Sequence, residues 1–304
     1  MLANFFGKSN PANLIIIFLV FLGYFSAAFF LGYTEQESLI WFASLMGGFF
    51  ILFFFFNFIL AKNKLTLYNS YGFLFFVLMF GMFPASFFDR RELFINIVLL
   101  IMLRRIYSLR TPKDVVKKMF DSGFWLAILF ILDPFSAIFG LLIFSSIAFF
   151  QKLNLKSALI PMVGFMVPLI CYFAYTFYWS DISVFTNLFS WYTDYDFSIY
   201  KDPKMFIPIL FIGILIIFSV IFKTPKVLLV SGNYRKFWSL IIINLLVSVA
   251  FIVLAKEKNG AELMCAFFPV AVILTNGIEG FSKRIFQDII LMIFVLIPII
   301  LFII

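Results

Sequence analysis

Apolar runs of about 20 residues, the length that crosses a hydrocarbon core roughly 30 Å thick, follow one another from residue 13 to residue 304 with short polar breaks. Such a chain is expected to fold as an all-α polytopic bundle, because in lipid each helix satisfies its own backbone hydrogen bonds. Nine runs are unambiguous: 13–33, 39–61, 68–88, 92–108, 157–179, 205–222, 238–254, 261–278 and 285–304. The stretch 119–150 is too long for one helix and carries Asp133-Pro134 near its middle. Proline lacks the amide donor and biases the residue before it away from helix, so this stretch divides, as two spans or a re-entrant hairpin. Two spans bring the expected total to eleven.

Charge tests that count. With the N-terminus inside and the C-terminus outside, Lys and Arg split 17 inside to 6 outside, as the positive-inside rule requires. The net charge of +8 is thereby explained by topology, and nucleic-acid binding is not needed. With 64% apolar and 12% charged residues, against about 25% charged in soluble domains, soluble enzyme folds are excluded. The N-terminal MLANFFGKSNPAN carries no cleavage signal, so the first span is expected to be retained. Residues 1–304 read as a single integral membrane domain.

Histidine is absent, which removes histidine-ligated haem and metals and any Ser-His or Cys-His pair. Cys171 and Cys265 each sit inside an apolar run, where a thiol behaves as a small hydrophobe. No GxxxxGKS loop occurs, so no nucleotide site is expected.

Acids are as asymmetric as bases, with 11 outside and 4 inside, and acids contribute little to orientation. Chemistry is therefore sought on the outer face. The first outer loop, YTEQES, offers Glu35 and Glu37 as bases; the second, FFDRRE, offers Asp89 as an alternative base and Arg90 and Arg91 as a bidentate phosphate clamp. The plainer reading of DRRE is a self-neutralising set of surface ion pairs. Asp133, after a helix only about 21 Å long over 119–132, is expected in a recess beside these groups, either as a substrate contact or as the cap of the next helix. In the outer loop 180–204, Ile182, Phe185, Leu188, Phe189 and Tyr192 fall at helical spacing, which predicts an interfacial helix over 182–192. Trp191, Asp194 and Tyr195 offer a stacking surface for a sugar, or an aromatic anchor at headgroup level. On the inner side, RRIYSLRTPKDVVKKMF predicts a basic surface helix over 110–120 capped by Thr111, with Pro112 in first position.

The stretch from about 84 to 150, in which LRRIYSLR is followed by FDSGFW and DPFSAIFG, resembles an uncharacterised multi-pass inner-membrane family of flavobacterial-type bacteria. The organisation of that family is in turn similar to integral-membrane glycosyltransferases of the GT-C class. The resemblance implies a location in the bacterial inner membrane, a polyprenyl-phosphate lipid as sugar donor, an envelope acceptor, and an acid in the first outer loop where Glu35 and Glu37 stand. That loop is much shorter here than in those enzymes. A non-catalytic subunit bound to other membrane proteins of an envelope or secretion complex, and a lipid or small-molecule transporter, are the alternative expectations. Membrane lipids are partners under every reading.

Overall fold

The computed structural model describes residues 2–34, 38–151, 153–193, 195–229, 232–281 and 283–303. Among these residues there are 13 α-helices and no strands. In chain order they are α1 (Leu2–Phe6), α2 (Pro11–Phe30), α3 (Leu39–Asn63), α4 (Tyr71–Met82), α5 (Arg90–Ser108), α6 (Val115–Leu132), α7 (Gly140–Phe150), α8 (Leu155–Trp179), α9 (Ile182–Thr186), α10 (Pro203–Leu228), α11 (Asn233–Leu254), α12 (Met264–Ile278) and α13 (Arg284–Ile303). Seven segments, Pro11–Phe30, Leu39–Asn63, Leu155–Trp179, Pro203–Val227, Asn233–Leu254, Ala261–Ile278 and Arg284–Phe302, are long and apolar enough to cross a membrane. The chain is a multi-pass membrane protein.

Two helices form the centre. All twelve residues of α4 are buried, and α12 lies against it with 89% of its apolar window buried. Helices α2, α3 and α13 cover α4, while α5, α10 and α11 cover α12. Farther out, α6 leans on α5, α8 leans on α6, and α7 packs against α11. At about 1.5 Å per residue, α4 is near 18 Å long, too short to cross alone; Pro84 continues it as a 3-10 turn over Pro84–Phe87. Phenylalanines knit α2, α3 and α4 together: Phe21 meets Phe53 edge-to-face at 4.8 Å, and Phe49 meets Phe80 at 5.3 Å. Lipid tails are as apolar as these rings, so such contacts act through packing rather than through escape from water.

The expected break at Asp133 is present. Helix α6 ends at Leu132, Asp133 is extended, and a 3-10 turn over Pro134–Phe139 leads into α7. Two expectations are corrected. The basic helix expected over 110–120 from a Thr111 cap does run on into the next apolar helix, but it starts later: residues 110–114 form a turn, Asp114 takes a left-handed conformation (φ 54°), and α6 starts at Val115. Lys118 is the cause, since its ammonium donates to the Ser108 carbonyl, the Thr111 carbonyl and the Thr111 hydroxyl at 2.9, 3.0 and 2.6 Å and holds the turn closed. The outer helix predicted over 182–192 is α9 and a 3-10 turn over Asn187–Phe189, with irregular chain beyond. There Ser190 donates to the Asn187 carbonyl at 2.7 Å, a local bond that competes with continued helix. The segment is also not a free platform: Leu188 is buried with Ala127, Phe130 and Leu169 of α6 and α8.

Helices α6 and α8 cross with their backbones almost touching. A Cβ placed on Gly123 would lie 1.9 Å from the Pro161 carbonyl oxygen, and one on Gly164 would lie 2.2 Å from that of Phe120. Glycine is required at both positions because only it lets two helix backbones approach so closely.

Candidate functional site

The first turn of α5 is built by its own sequence. Asp89 is the N-cap, and its Oδ1 accepts the Glu92 amide at 2.9 Å, satisfying one of the donors that a helix start leaves free. Its Oδ2 accepts from Asn259 Nδ2 at 2.9 Å, so both oxygens are engaged. The following residue but one, Arg91, turns toward the α6–α7 break. It donates to the Leu132 carbonyl at 3.2 Å and pairs with Asp133 at 3.3 Å and Glu257 at 3.8 Å. Asp133 is 2% exposed; its other oxygen accepts the Phe135 amide at 2.9 Å, so it caps the following turn as well as pairing.

Glu262 closes the cluster from the α11–α12 connection. Gly260 has φ 90°, a backbone conformation open to glycine. In that turn the amides of Gly260 and Asn259 both point at Glu262 Oε2, at 2.8 and 3.2 Å. Tyr200, from the connection between α9 and α10, donates its hydroxyl to Glu262 Oε1. Burial and the neighbouring Glu262 push the Tyr200 phenol up, so it remains a donor. Glu92 stands among these groups, 7% exposed, and Asp89, Arg91, Asp133 and Glu262 are near enough to act on it electrostatically. Its Oε2 has no hydrogen-bond partner among the described residues.

Inward from Glu92 runs a row of buried polar side chains. Asn96 donates to the Glu92 carbonyl at 3.0 Å and approaches Cys265 Sγ at 3.7 Å. Pro269 lacks the amide that would bond the Cys265 carbonyl within α12, and Ser248 of α11 donates to that carbonyl instead, at 3.0 Å. Asn244, one turn along α11, is 0% exposed and lies beside Tyr107 of α5.

The structure therefore brings together Asp89, Arg91 and Asp133 of the residues singled out in the sequence. Arg90 is exposed at the head of α5. Trp191 packs edge-to-face on Phe135 at 5.4 Å, beside the Asp133 turn, and Tyr195 is exposed. Glu35, Glu37 and Asp194 lie outside the described residues. Neither Asp89 nor Arg91 stands ready for substrate: the acid is a cap, and the arginine is matched by two carboxylates. The surface self-neutralisation expected of DRRE is likewise replaced by pairing to Asp133 and Glu257. Glu92, Tyr200, Asn259 and Glu262 are site residues that the loop motifs do not mark, although Glu92 and Glu262 stand at the head of their apolar runs. Among the described residues no three carboxylates or cysteines converge to hold a metal ion.

The chain belongs to a family of unknown function, DUF6427, whose model matches residues 1–304. No curated protein and no solved structure matches it.

Proposed function

We propose that this member of the family is a transferase of the outer membrane face, moving a sugar from a polyprenyl-phosphate donor to an envelope acceptor, with Glu92 as its base. The observation that carries the reading is the unpartnered Oε2 of Glu92, buried within a cluster of carboxylates at a helix head. A buried acceptor without a donor costs about 1–3 kcal/mol, and ionisable groups at membrane depth persist for function. In the reaction Glu92 takes the proton of an acceptor hydroxyl, the acceptor oxygen bonds to the anomeric carbon, and the carbon–oxygen bond to phosphate breaks. The bonding pair leaves with the polyprenyl phosphate. Arg90 and Lys256, both exposed at this end, offset the charge of that leaving group. Opening of the Asp89–Asn259 bond gives the acceptor access to Glu92.

The same reading counts α4, α5, α6 and α7 with the seven long helices as eleven passes, placing α1 inside and the Glu92 cluster outside in a bacterial inner membrane. The test is release of polyprenyl phosphate from a polyprenyl-phosphate sugar by the protein in lipid nanodiscs. Glu92→Gln should lower the rate by about 10²–10⁴-fold, the usual contribution of a positioned base, and Glu92→Asp should retain part of it. Wild-type turnover in Glu92→Gln would sink the proposal.

Transport is the second reading, favoured by the polar row Asn96, Ser248, Asn244 and Tyr107 beneath Glu92. Such rows line proton or substrate paths. Proton uptake into proteoliposomes that is lost in Glu92→Gln, with no polyprenyl phosphate released by wild type, would favour it.

A further inference from the structure

At the opposite end of α12 the bundle holds a cavity of about 700 Å³, within the range of ligand pockets. Its polar wall is built from distant segments. Asn276, 1% exposed, donates to the Leu65 and Val272 carbonyls, both at 2.9 Å, and accepts from the Tyr234 hydroxyl at 2.9 Å. Glu279 accepts from the Leu67 amide at 2.9 Å and from Asn69 Nδ2 at 2.7 Å. Burial holds its carboxyl above the usual carboxylate range, against the weaker pull of those two donors and Lys223. These bonds tie the α3–α4 connection to the end of α12 and give the wall a fixed shape.

Two lysines line the same cavity. Lys64 follows α3 in a left-handed conformation, and Lys223 projects from α10; Leu14, Leu60 and Phe73 supply apolar wall. Among the described residues neither lysine has a carboxylate within ion-pair distance. Lys223 also lines an adjoining cavity of about 210 Å³, together with Lys226 and Phe222. Three ammonium groups against one carboxylate leave a local charge near +2. Lysines at the ends of apolar helices ordinarily reach out along the surface toward headgroups; here two of them edge a cavity that also has rigid amide and hydroxyl groups and apolar walls.

We infer that this cavity, with the adjoining one, binds the phosphate monoester headgroup of a membrane lipid: Lys64 and Lys223, with Lys226 from the adjoining cavity, hold the phosphate, and the Tyr234–Asn276 hydrogen bond keeps the wall behind it rigid. A phosphate monoester carries about −1.5 to −2 charges near pH 7, matching the unbalanced lysines, whereas a phosphodiester carries one. The site is independent of the chemistry around Glu92, since it lies at the other end of α12 and shares no residue with it.

The experiment titrates the full-length protein in detergent with phosphatidate, with phosphatidylglycerol and with inorganic phosphate, reading binding by native mass spectrometry and melting temperature. Phosphatidate should bind at least tenfold more tightly than phosphatidylglycerol, and Lys64→Gln/Lys223→Gln should remove that preference. Lys113→Gln/Lys117→Gln, which changes net charge equally at an exposed site, should keep it. Equal binding of the two lipids, or an undiminished preference in the double variant, overturns the proposal. A shift reproduced by inorganic phosphate alone overturns its lipid part. Should the double variant fail to fold, a photoactivatable phosphatidate on the wild-type protein decides: labelling within 9–14, 57–73, 218–226 or 276–281, or at Tyr234, supports the site, and labelling elsewhere overturns it.

Discussion

Replacing Gly123 by alanine tests the crossing of α6 and α8. The new Cβ would stand 1.9 Å from the Pro161 carbonyl oxygen, 2.7 Å from its carbon and 2.9 Å from its Cα. All three are backbone atoms, so no side-chain rotation relieves the clash. A carbon and a carbonyl oxygen approach to about 3.3 Å at closest, so the helices must separate by about 1.4 Å, the difference from the 1.9 Å contact. Overpacking costs about 1–3 kcal/mol, and a backbone-to-backbone clash belongs at the upper end. Alanine is favoured over glycine in a helix by about 1 kcal/mol, which offsets part of this. Gly47→Ala isolates that gain, because nothing lies within 4 Å of a Cβ there. Since α8 is held mainly by α6, the loss should appear as undocking of α8. A melting temperature lower by about 3–8 °C is expected, at roughly 2–4 °C per kcal/mol, against no fall in Gly47→Ala. Gly123→Ala/Gly164→Ala should cost less than the two single changes together, since helices already parted for one methyl admit the second. A Gly123→Ala protein that melts with wild type would refute the close crossing.

Arg91→Ala leaves the buried Asp133 with only the Phe135 amide, so it should destabilise by about 1–2 kcal/mol, discounted because the arginine is partly exposed; Asp133→Asn in that background should recover most of it in thermal unfolding. Ser248→Ala should cost about 0.6–1 kcal/mol, and the loss should vanish when Pro269→Ala restores an amide for the Cys265 carbonyl; persistence of the full loss in the double variant would separate Ser248 from that carbonyl. In a protein with Cys171→Ala and Cys265→Ala, a membrane-impermeant maleimide should label Tyr195→Cys on intact cells and Thr66→Cys only after permeabilisation. Labelling of both from one side would break the eleven-pass count. Trp191→Ala, which loses an exposed edge-to-face contact with Phe135, should lower stability by about 0.5–1.5 kcal/mol, and a larger drop in denaturation assays would mean the connection between α8 and α10 anchors more of the fold.

The helices were legible because run length and Pro134 mark them directly. Their neighbours were not. Helices α4 and α10 both read as apolar runs, yet one is wholly buried and the other has only 17% of its window buried. Lipid removes the contrast between inside and outside that gives a soluble helix its polar stripe. The better guide was the sparse polar residue within an apolar run: Asn96, Asn244 and Asn276 all face the interior. Their spacing to Glu92, Ser248 and Glu279 marks the inward face of each helix. The pairings themselves, such as Arg91 with Asp133 across 42 positions or Asn69 with Glu279 across 210, depend on which helices meet, and local pattern carries no record of that.

The complete burial of α4 also sets an order of events during synthesis. Its main partner, α12, begins at Met264, whereas α4 ends at Met82. At about 5–20 residues per second, the ribosome delivers α12 some 10–35 s after α4 has left it. Through that interval α4 rests against lipid, which solvates its phenylalanines well, while Asn96 of the neighbouring α5 waits for Cys265. Helix α12 thus arrives late, as a wedge that earlier helices must part to admit, and arrest of translation before Met264 should leave an inserted but uncompacted intermediate.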